Sequence, residues 1–176
     1  DARQPDILWK ALKELIEHGN IKPDKITVEI YGKNTSSFVL GNYVNDAAIN
    51  KIVHLFGYVD HTNSIKLLGK ADTLLLFSNS GETQRAIVTA KVFEYMRSGK
   101  PILAIIDSSG AAAEILIPGK TGFIADSSSL NSVKETILNI YYLWEEDKLQ
   151  TEPNWNYIRQ FERKTLTAKL AEVFSS

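Results

Sequence analysis

The chain has 176 residues, of which 44% are hydrophobic, and this length predicts one domain with its own core. The formal net charge is −1 with lysines and arginines scattered, which excludes the basic field typical of nucleic-acid-binding proteins. The absence of cysteine excludes disulfides and thiolate sites and fits a reducing compartment, so we expect a cytoplasmic protein. Apolar runs such as residues 73–77 are far shorter than the roughly 20 residues of a membrane helix.

The first third of the chain alternates helical and strand patterns. Apolar residues at helical spacing predict a helix over residues 5–18, and alternation predicts a strand over residues 26–30 that ends at Gly32. A second helix is predicted over residues 36–48, and a second strand over residues 52–56.

The same alternation continues to the C-terminus. It predicts short helices at residues 64–68 and 111–117, a helix over 89–98, strands at 73–77, 101–106 and 122–124, and helical segments at 130–144, 155–161 and 166–174. Because parallel strands need helix-length connections, this order predicts an α/β fold with a doubly wound parallel sheet. We expect residues 1–176 to form a single domain, with its ligand site where the loops leave the carboxyl ends of the strands.

The helix over residues 89–98 has the features of an anion site. Thr89 is the predicted N-cap, so the amides of Ala90 and Lys91 and the positive end of the helix dipole should face the strand ends. Lys91 adds charge that favours a phosphate, and Glu94 can accept hydroxyl groups. Phosphate with hydroxyls suggests a nucleotide sugar; the alternative is an i,i+3 ion pair between Lys91 and Glu94 on an ordinary helix.

Two polar segments at strand ends are further candidates. After the strand at residues 73–77, Gly81 allows close backbone approach, and Glu82, Thr83 and Arg85 offer hydroxyl or charged contacts. The alternative for this segment is a solvated loop without a ligand.

The turn Gly57-Tyr58-Val59 offers peptide groups to a base edge and a tyrosine to stack on it. Here the alternative is a plain turn followed by a helix cap at Asp60 or Thr62.

Other chemistries find little support. No glycine-rich phosphate fingerprint and no His-Glu-x-x-His helix occurs, and His54 and His61 form no recognisable metal pair. Glu82 and Glu94 would make a glycosidase pair only at the right separation, which a sequence does not give. We therefore assign no catalytic residue and expect no metal.

Four segments together carry a family resemblance. They are residues 53–59, 71–72, 91–101 and 119–123. Their order resembles the C-terminal domain of family 4 (group 1) glycosyltransferases. The resemblance implies one half of a GT-B architecture, in which two Rossmann-like domains face each other across a cleft. The C-terminal domain would hold the nucleotide sugar, and an N-terminal domain of the same protein would hold the acceptor.

The resemblance also implies roles for individual residues. Glu94 matches the glutamate that takes the ribose hydroxyls, Thr89 and Ala90 the helix start that faces the diphosphate, and Tyr58 and Val59 the backbone that meets the base. The leaving diphosphate would be stabilised by amides and cations, with no metal or other cofactor.

Two departures from the family pattern concern the donor site. Ala86 stands where many members carry a second glutamate, so Glu82 or Lys91 is expected to contact the donor sugar instead. The family's first strand and its basic pair would precede the first helix, so we expect this domain to lack its first strand.

The sequence thus predicts the donor-binding domain of a retaining, metal-independent glycosyltransferase that builds a polysaccharide, glycolipid or glycoconjugate. The domain alone should be inactive, and the complete enzyme can associate peripherally with a membrane. Two alternatives stay open, namely an enzyme similar to nucleotide-sugar epimerases and a non-catalytic α/β interaction module.

Overall fold

A computed structural model describes residues 6–32, 39–78 and 85–175 of the chain. Its elements follow in the order α1 (Asp6–Glu17), β1 (Val28–Tyr31), a 3-10 turn (Gly41–Tyr43), α2 (Ala47–Ile52), β2 (Val53–Phe56), α3 (His61–Lys70), β3 (Leu74–Phe77), α4 (Ala90–Ser98), β4 (Ile102–Ile106), α5 (Ala111–Gly119), β5 (Gly122–Asp126), α6 (Leu130–Glu145), α7 (Trp155–Ile158), a second 3-10 turn (Arg159–Phe161) and α8 (Arg163–Ser175). Over these three stretches, no helix is long and apolar enough to cross a membrane.

All strand pairs are parallel. Val28 of β1 lies opposite Val53 of β2, and Leu74 of β3 lies opposite Ile102 of β4. β5 follows β4 in the same direction and register. Helices connect the strands, as parallel crossovers require, and the predicted α/β fold class is confirmed.

The strands form two separate ladders. One contains β1 and β2, and the other has the order β3-β4-β5. Among the described residues, β1 and β3 are therefore each hydrogen-bonded to another strand on one edge only. The connecting helices and the parallel strands agree with a doubly wound sheet. Among the described residues, however, no strand pairing joins the β1-β2 ladder to the β3-β4-β5 ladder.

The core has two parts, one on each face of the sheet. Leu74 and Leu76 of β3 pack into a cluster with α4, α5 and α7. The alternate residues Leu75 and Phe77 pack against a cluster with α1, α2 and α6. Because successive side chains of a strand point to opposite faces, β3 is covered on both sides, as its unbroken apolar sequence predicts.

Helix α1 is fixed by specific contacts. The Trp9 side chain is fully buried, and its indole N–H donates a hydrogen bond to the Val39 carbonyl over 2.9 Å. The Lys134 ammonium on α6 lies 2.9 Å from the Glu14 carboxylate. These contacts hold α1 and α6 side by side over one face of the sheet.

The predicted helix over residues 36–48 is wrong as a single element. Residues 36–38 lie outside the described stretches; residues 39 and 40 are helical, but a 3-10 turn at Gly41–Tyr43 follows them before α2 begins at Ala47. Gly41 has a positive φ of 51°, which interrupts a helix, and the Asp46 carboxylate accepts hydrogen bonds from Ala48 and Ile49 as the N-cap of α2. Helix α2 then includes Ile52, which the alternation had assigned to the second strand.

The other elements agree with prediction apart from their ends. Helix α3 starts at His61 because the Asp60 carboxylate caps it and accepts the Asn63 amide over 2.9 Å. Helix α4 ends where Gly99 adopts the left-handed conformation with φ 69°. The boundaries thus follow caps and glycines more closely than hydrophobic spacing.

Candidate functional site

A cavity of about 980 Å³ lies between the two ladders. Residues 25–32, which include β1, and residues 70–77, which include β3, form its two long walls. Leu8, Trp9 and Leu12 of α1 close one side. The first turns of α4 and the segment after β2 also border it.

Five of the predicted site residues line this one cavity: Tyr58, Val59, Thr89, Lys91 and Glu94. Two separate parts of the sequence are therefore brought together, one after β2 and one at the start of α4. Ligand binding by any of them stays a prediction.

The other predicted residues lie elsewhere. Gly57 and Ala90 are not in the cavity wall, although each is adjacent to a residue that is. The Gly57 carbonyl accepts the Gly32 amide over 3.2 Å, which ties the end of β2 to the end of β1. Gly81, Glu82 and Thr83 lie outside the described residues.

Helix α4 begins at the cavity wall without a side-chain cap. Thr89 is the N-cap residue, as predicted, but its hydroxyl makes no capping hydrogen bond. That hydroxyl oxygen is buried and, among the described residues, has no hydrogen-bond partner. The first amides of a helix lack intrahelical partners, so this end combines uncapped donors with the positive end of the helix dipole.

Lys91 and Glu94 are exposed and do not form the alternative i,i+3 ion pair within the described structure. The Lys91 ammonium instead lies 6.0 Å from the centre of the Tyr95 ring. Burial raises the pKa of the Tyr95 phenol, and the nearby Glu94 carboxylate raises it further, so Tyr95 stays neutral at physiological pH. The exposed Lys91 and Glu94 side chains are accessible from the cavity that they border.

The segment after β2 is partly open to solvent. Tyr58 is 70% exposed at the cavity rim, and Val59 beside it is half-buried. Asp60 is the N-cap of α3, so the alternative of a turn followed by a cap is also present in the structure. Because the turn and the cavity wall share the same residues, the cap does not exclude ligand contact.

Arg85 has a partner that sequence reasoning missed. Its Nε lies 3.1 Å from Asp107 Oδ2, and its Nη2 donates to the Ser109 hydroxyl over 2.5 Å. Arg85 is also absent from the cavity wall. The guanidinium therefore ties the segment before α4 to the loop after β4.

Matching turns follow β4 and β5. Asp107 accepts the Ser109 amide over 2.9 Å, and Asp126 accepts the Ser128 amide over 2.8 Å. Hydrogen bonds from these serines lower the pKa of both carboxyl groups. The Asp-x-Ser spacing after two consecutive strands is the sequence signal for these turns.

No group of three His, Asp or Glu residues suited to a metal ion occurs in the part of the chain that the structure describes. The expected metal independence stays a prediction.

Comparison with known proteins identifies the family. Residues 2–153 match the family model described as glycosyl transferases group 1. A comparison with curated proteins found no match.

Proposed function

The chain belongs to the group 1 glycosyltransferases, and on that premise we propose that it binds the nucleotide-sugar donor of a retaining, metal-independent enzyme. Family membership establishes sugar transfer in general. The donor class, the stereochemistry and the acceptor are parts of this proposal.

One observation carries the proposal. The start of α4, with Thr89, Lys91 and Glu94, faces the same cavity as Tyr58 and Val59 at the end of β2. A diphosphate at the helix start would meet the amides of Ala90 and Lys91, the dipole and the Lys91 ammonium. Glu94, almost one turn further along, would accept the ribose hydroxyls.

The base fits the other end of this arrangement. Tyr58 at the rim has a largely exposed ring on which a base can stack, and the peptide groups of Tyr58 and Val59 can pair with its edge. Gly57 precedes them, and a Cβ added there would meet no atom within 4 Å. The backbone at this turn is therefore approachable.

In the transfer step, the bond between the anomeric carbon and the diphosphate oxygen breaks, and the acceptor hydroxyl oxygen bonds to that carbon. The acceptor hydroxyl passes its proton to the departing nucleoside diphosphate, on whose oxygens negative charge develops as the bond breaks. Fixed amides and the Lys91 ammonium would stabilise that charge without reorganising, which is how preorganised groups accelerate such steps. We assign no catalytic residue to this chain.

Lys91 and Glu82 are the two expected contacts to the donor sugar. Ala86 is exposed, supplies no carboxylate and is not in the cavity wall. Glu82 lies outside the described residues, whereas Lys91 borders the cavity.

The remaining parts of the proposal concern the complete enzyme. An N-terminal domain of the same protein would supply the acceptor site, and the isolated donor domain would not turn over. The product would be a polysaccharide, glycolipid or glycoconjugate made in the cytoplasm, with the enzyme free to dock on a membrane surface.

Calorimetric titration of the full-length protein with UDP, GDP and dTDP tests donor binding. We expect saturable binding of one of them and its loss in Glu94→Ala. Glu135→Ala is the matched control, because Glu135 is an exposed helical glutamate outside the cavity. Loss of binding in both variants, or in neither, would contradict the role of Glu94. Binding of none of the three by the full-length protein would favour a non-catalytic module.

Stereochemistry needs a separate measurement. Proton NMR of the sugar released by slow donor hydrolysis reports its anomeric form before mutarotation. We expect the anomer of the donor. The opposite anomer would contradict a retaining mechanism, and conversion to an epimeric nucleotide sugar would identify an epimerase-like enzyme.

A further inference from the structure

Tyr95 borders the cavity beside the candidate donor site but has no part in the function proposed above. It lies on α4 one turn after Lys91, and both residues are in the cavity wall. Tyr95 packs against the core cluster that α4 shares with α5 and α7. Its ring is therefore a fixed group at the edge of the cavity, whereas the lysine side chain beside it is exposed.

The Lys91 ammonium lies over the Tyr95 ring, 6.0 Å from its centre. Residues four apart are neighbours on a helix, and a helical side chain leans over the turn that precedes its own Cα. The Tyr95 ring therefore extends back toward the turn that begins at Thr89. This brings it within the distance at which the face of an aromatic ring attracts a cation.

No carboxylate of the described residues competes with the ring for Lys91. Glu94, three positions further along α4, is exposed and forms no ion pair with the lysine. Burial raises the pKa of Tyr95, so the phenol stays neutral and offers the cation its ring face. The ring is thus the group that restrains the ammonium.

A restrained lysine is a better phosphate ligand than an unrestrained one. A flexible lysine side chain loses rotamer freedom when a ligand fixes it, and this loss weakens binding. Contact with a fixed ring limits the rotamers before the ligand arrives, so less freedom remains to be lost. An ammonium has three N–H donors, so contact with the ring leaves donors for a phosphate.

We propose that Tyr95 is a positioning residue, whose ring holds the Lys91 ammonium at the start of α4 where it meets the diphosphate of the donor. This role of Tyr95 rests on the donor site proposed above. The ring acts through the lysine, and the phenol hydroxyl has no part in it. The effect on affinity should be about two- to fivefold, the range of a cation–π contact at an exposed site.

A double-mutant cycle on the full-length protein tests this role, with whichever of UDP, GDP and dTDP binds most tightly. Tyr95→Leu should weaken binding of that diphosphate about two- to fivefold, whereas Tyr95→Phe keeps the ring and should bind like the unchanged protein. In a Lys91→Met background, Tyr95→Leu should have no further effect, because the ring then has no ammonium to position. An equal loss with and without Lys91, an equal loss in the Phe and Leu variants, or no loss in either would overturn the proposal.

The cycle separates the role of Tyr95 from the donor site itself. If the unchanged protein binds none of the three diphosphates, the proposed function and the role of Tyr95 are both overturned. If binding depends on Lys91 but not on Tyr95, only the role of Tyr95 is overturned.

Proton–carbon NMR of the lysine ε-methylene groups decides the question even if Tyr95→Leu does not fold. In the unchanged full-length protein, the Lys91 signal is identified by its loss in Lys91→Met. It should lie upfield of the signal of the exposed Lys66, because ring currents shield nuclei that lie over an aromatic face. The upfield shift should remain when the diphosphate binds. An unshifted Lys91 signal, or a shift that disappears on binding, would overturn the proposal.

Discussion

Arg85 Nε lies 3.1 Å from Asp107 Oδ2, and this pair joins the segment that leads into α4 to the loop after β4. The Asp107 carboxylate is itself held by the Ser109 amide and hydroxyl. Gly110 completes the contact, since a Cβ there would lie 3.1 Å from the Arg85 carbonyl oxygen. In the structure, the arginine that the sequence offers as a ligand contact thus connects two loops beside the candidate site.

Arg85→Gln should accordingly leave nucleotide affinity within about twofold, the effect typical of surface substitutions away from a binding site. The same titration that characterises the unchanged protein checks this. A loss of tenfold or more would mean that Arg85 turns to the ligand on binding.

Lys91→Met should weaken binding of a nucleoside diphosphate about tenfold at low salt, because a charge-assisted contact to phosphate is lost. The difference should shrink as salt rises, since the lysine is exposed and screened. Binding of the corresponding nucleoside without phosphates should not change. Lys66→Met on α3, outside the cavity wall, is the control. Equal loss for nucleoside and diphosphate would argue against a phosphate contact.

Asp46 combines a helix cap with an ion pair. Its Oδ1 accepts the Ala48 and Ile49 amides, and its Oδ2 lies 2.6 Å from the Lys13 ammonium. Asp46→Ala should lower the unfolding free energy by about 1 kcal/mol through loss of the cap, measured by urea denaturation. Asp46→Asn keeps a capping oxygen and should recover most of that loss. Equal losses in both variants would show that the cap contributes nothing.

The same residue predicts a pH dependence. The hydrogen bond from Lys13 and the two backbone amides hold the pKa of Asp46 below its usual value, so its ionised form stabilises the fold. This contribution is complete above the unfolded-state value of about 3.9 and is lost as pH falls through the lower folded-state value. The stability difference between the unchanged protein and Asp46→Asn should stay constant from pH 7 to about 5 and shrink below about 4. A difference that does not change with acid would contradict the ion pair.

Two glycines should respond in opposite directions to alanine. Gly99 has φ 69°, and an added Cβ would lie 3.1 Å from the Trp155 ring, so Gly99→Ala should cost about 1–2 kcal/mol of unfolding free energy. Gly69 lies inside α3 with no atom near an added Cβ, so Gly69→Ala should stabilise by about 0.5–1 kcal/mol. Thermal denaturation of both variants checks the pair. A gain in stability for Gly99→Ala would mean that the helix end rearranges.

Local signals made most of the fold predictable. Helix α4 lies between Thr89 and Gly99, a cap and a left-handed stop that depend only on neighbouring residues. The continuous apolar run 74–77 predicted a strand covered on both faces, which β3 is. The predicted helix over residues 36–48 is not one element, because the positive φ of Gly41 and the helix cap at Asp46 each interrupt it.

The candidate site could be predicted only where its residues are close together in the sequence. Thr89, Lys91 and Glu94 could be predicted because they lie near the start of one helix. That they line the same cavity as Tyr58 depends on how strands far apart in the sequence are arranged. The tie between Arg85 and Asp107, which are 22 positions apart, likewise depends on the tertiary fold. The cavity between β1 and β3 has no local signature in the sequence, since it lies between the edges of two separate ladders.

The most direct test of the donor-site assignment is a crystal structure of the full-length protein with the nucleoside diphosphate that it prefers in titration. We expect the diphosphate within hydrogen-bond distance of the Ala90 and Lys91 amides, the ribose hydroxyls on Glu94 and the base against Tyr58. A nucleotide bound away from the start of α4, with Glu94 still in solvent, would contradict the assignment.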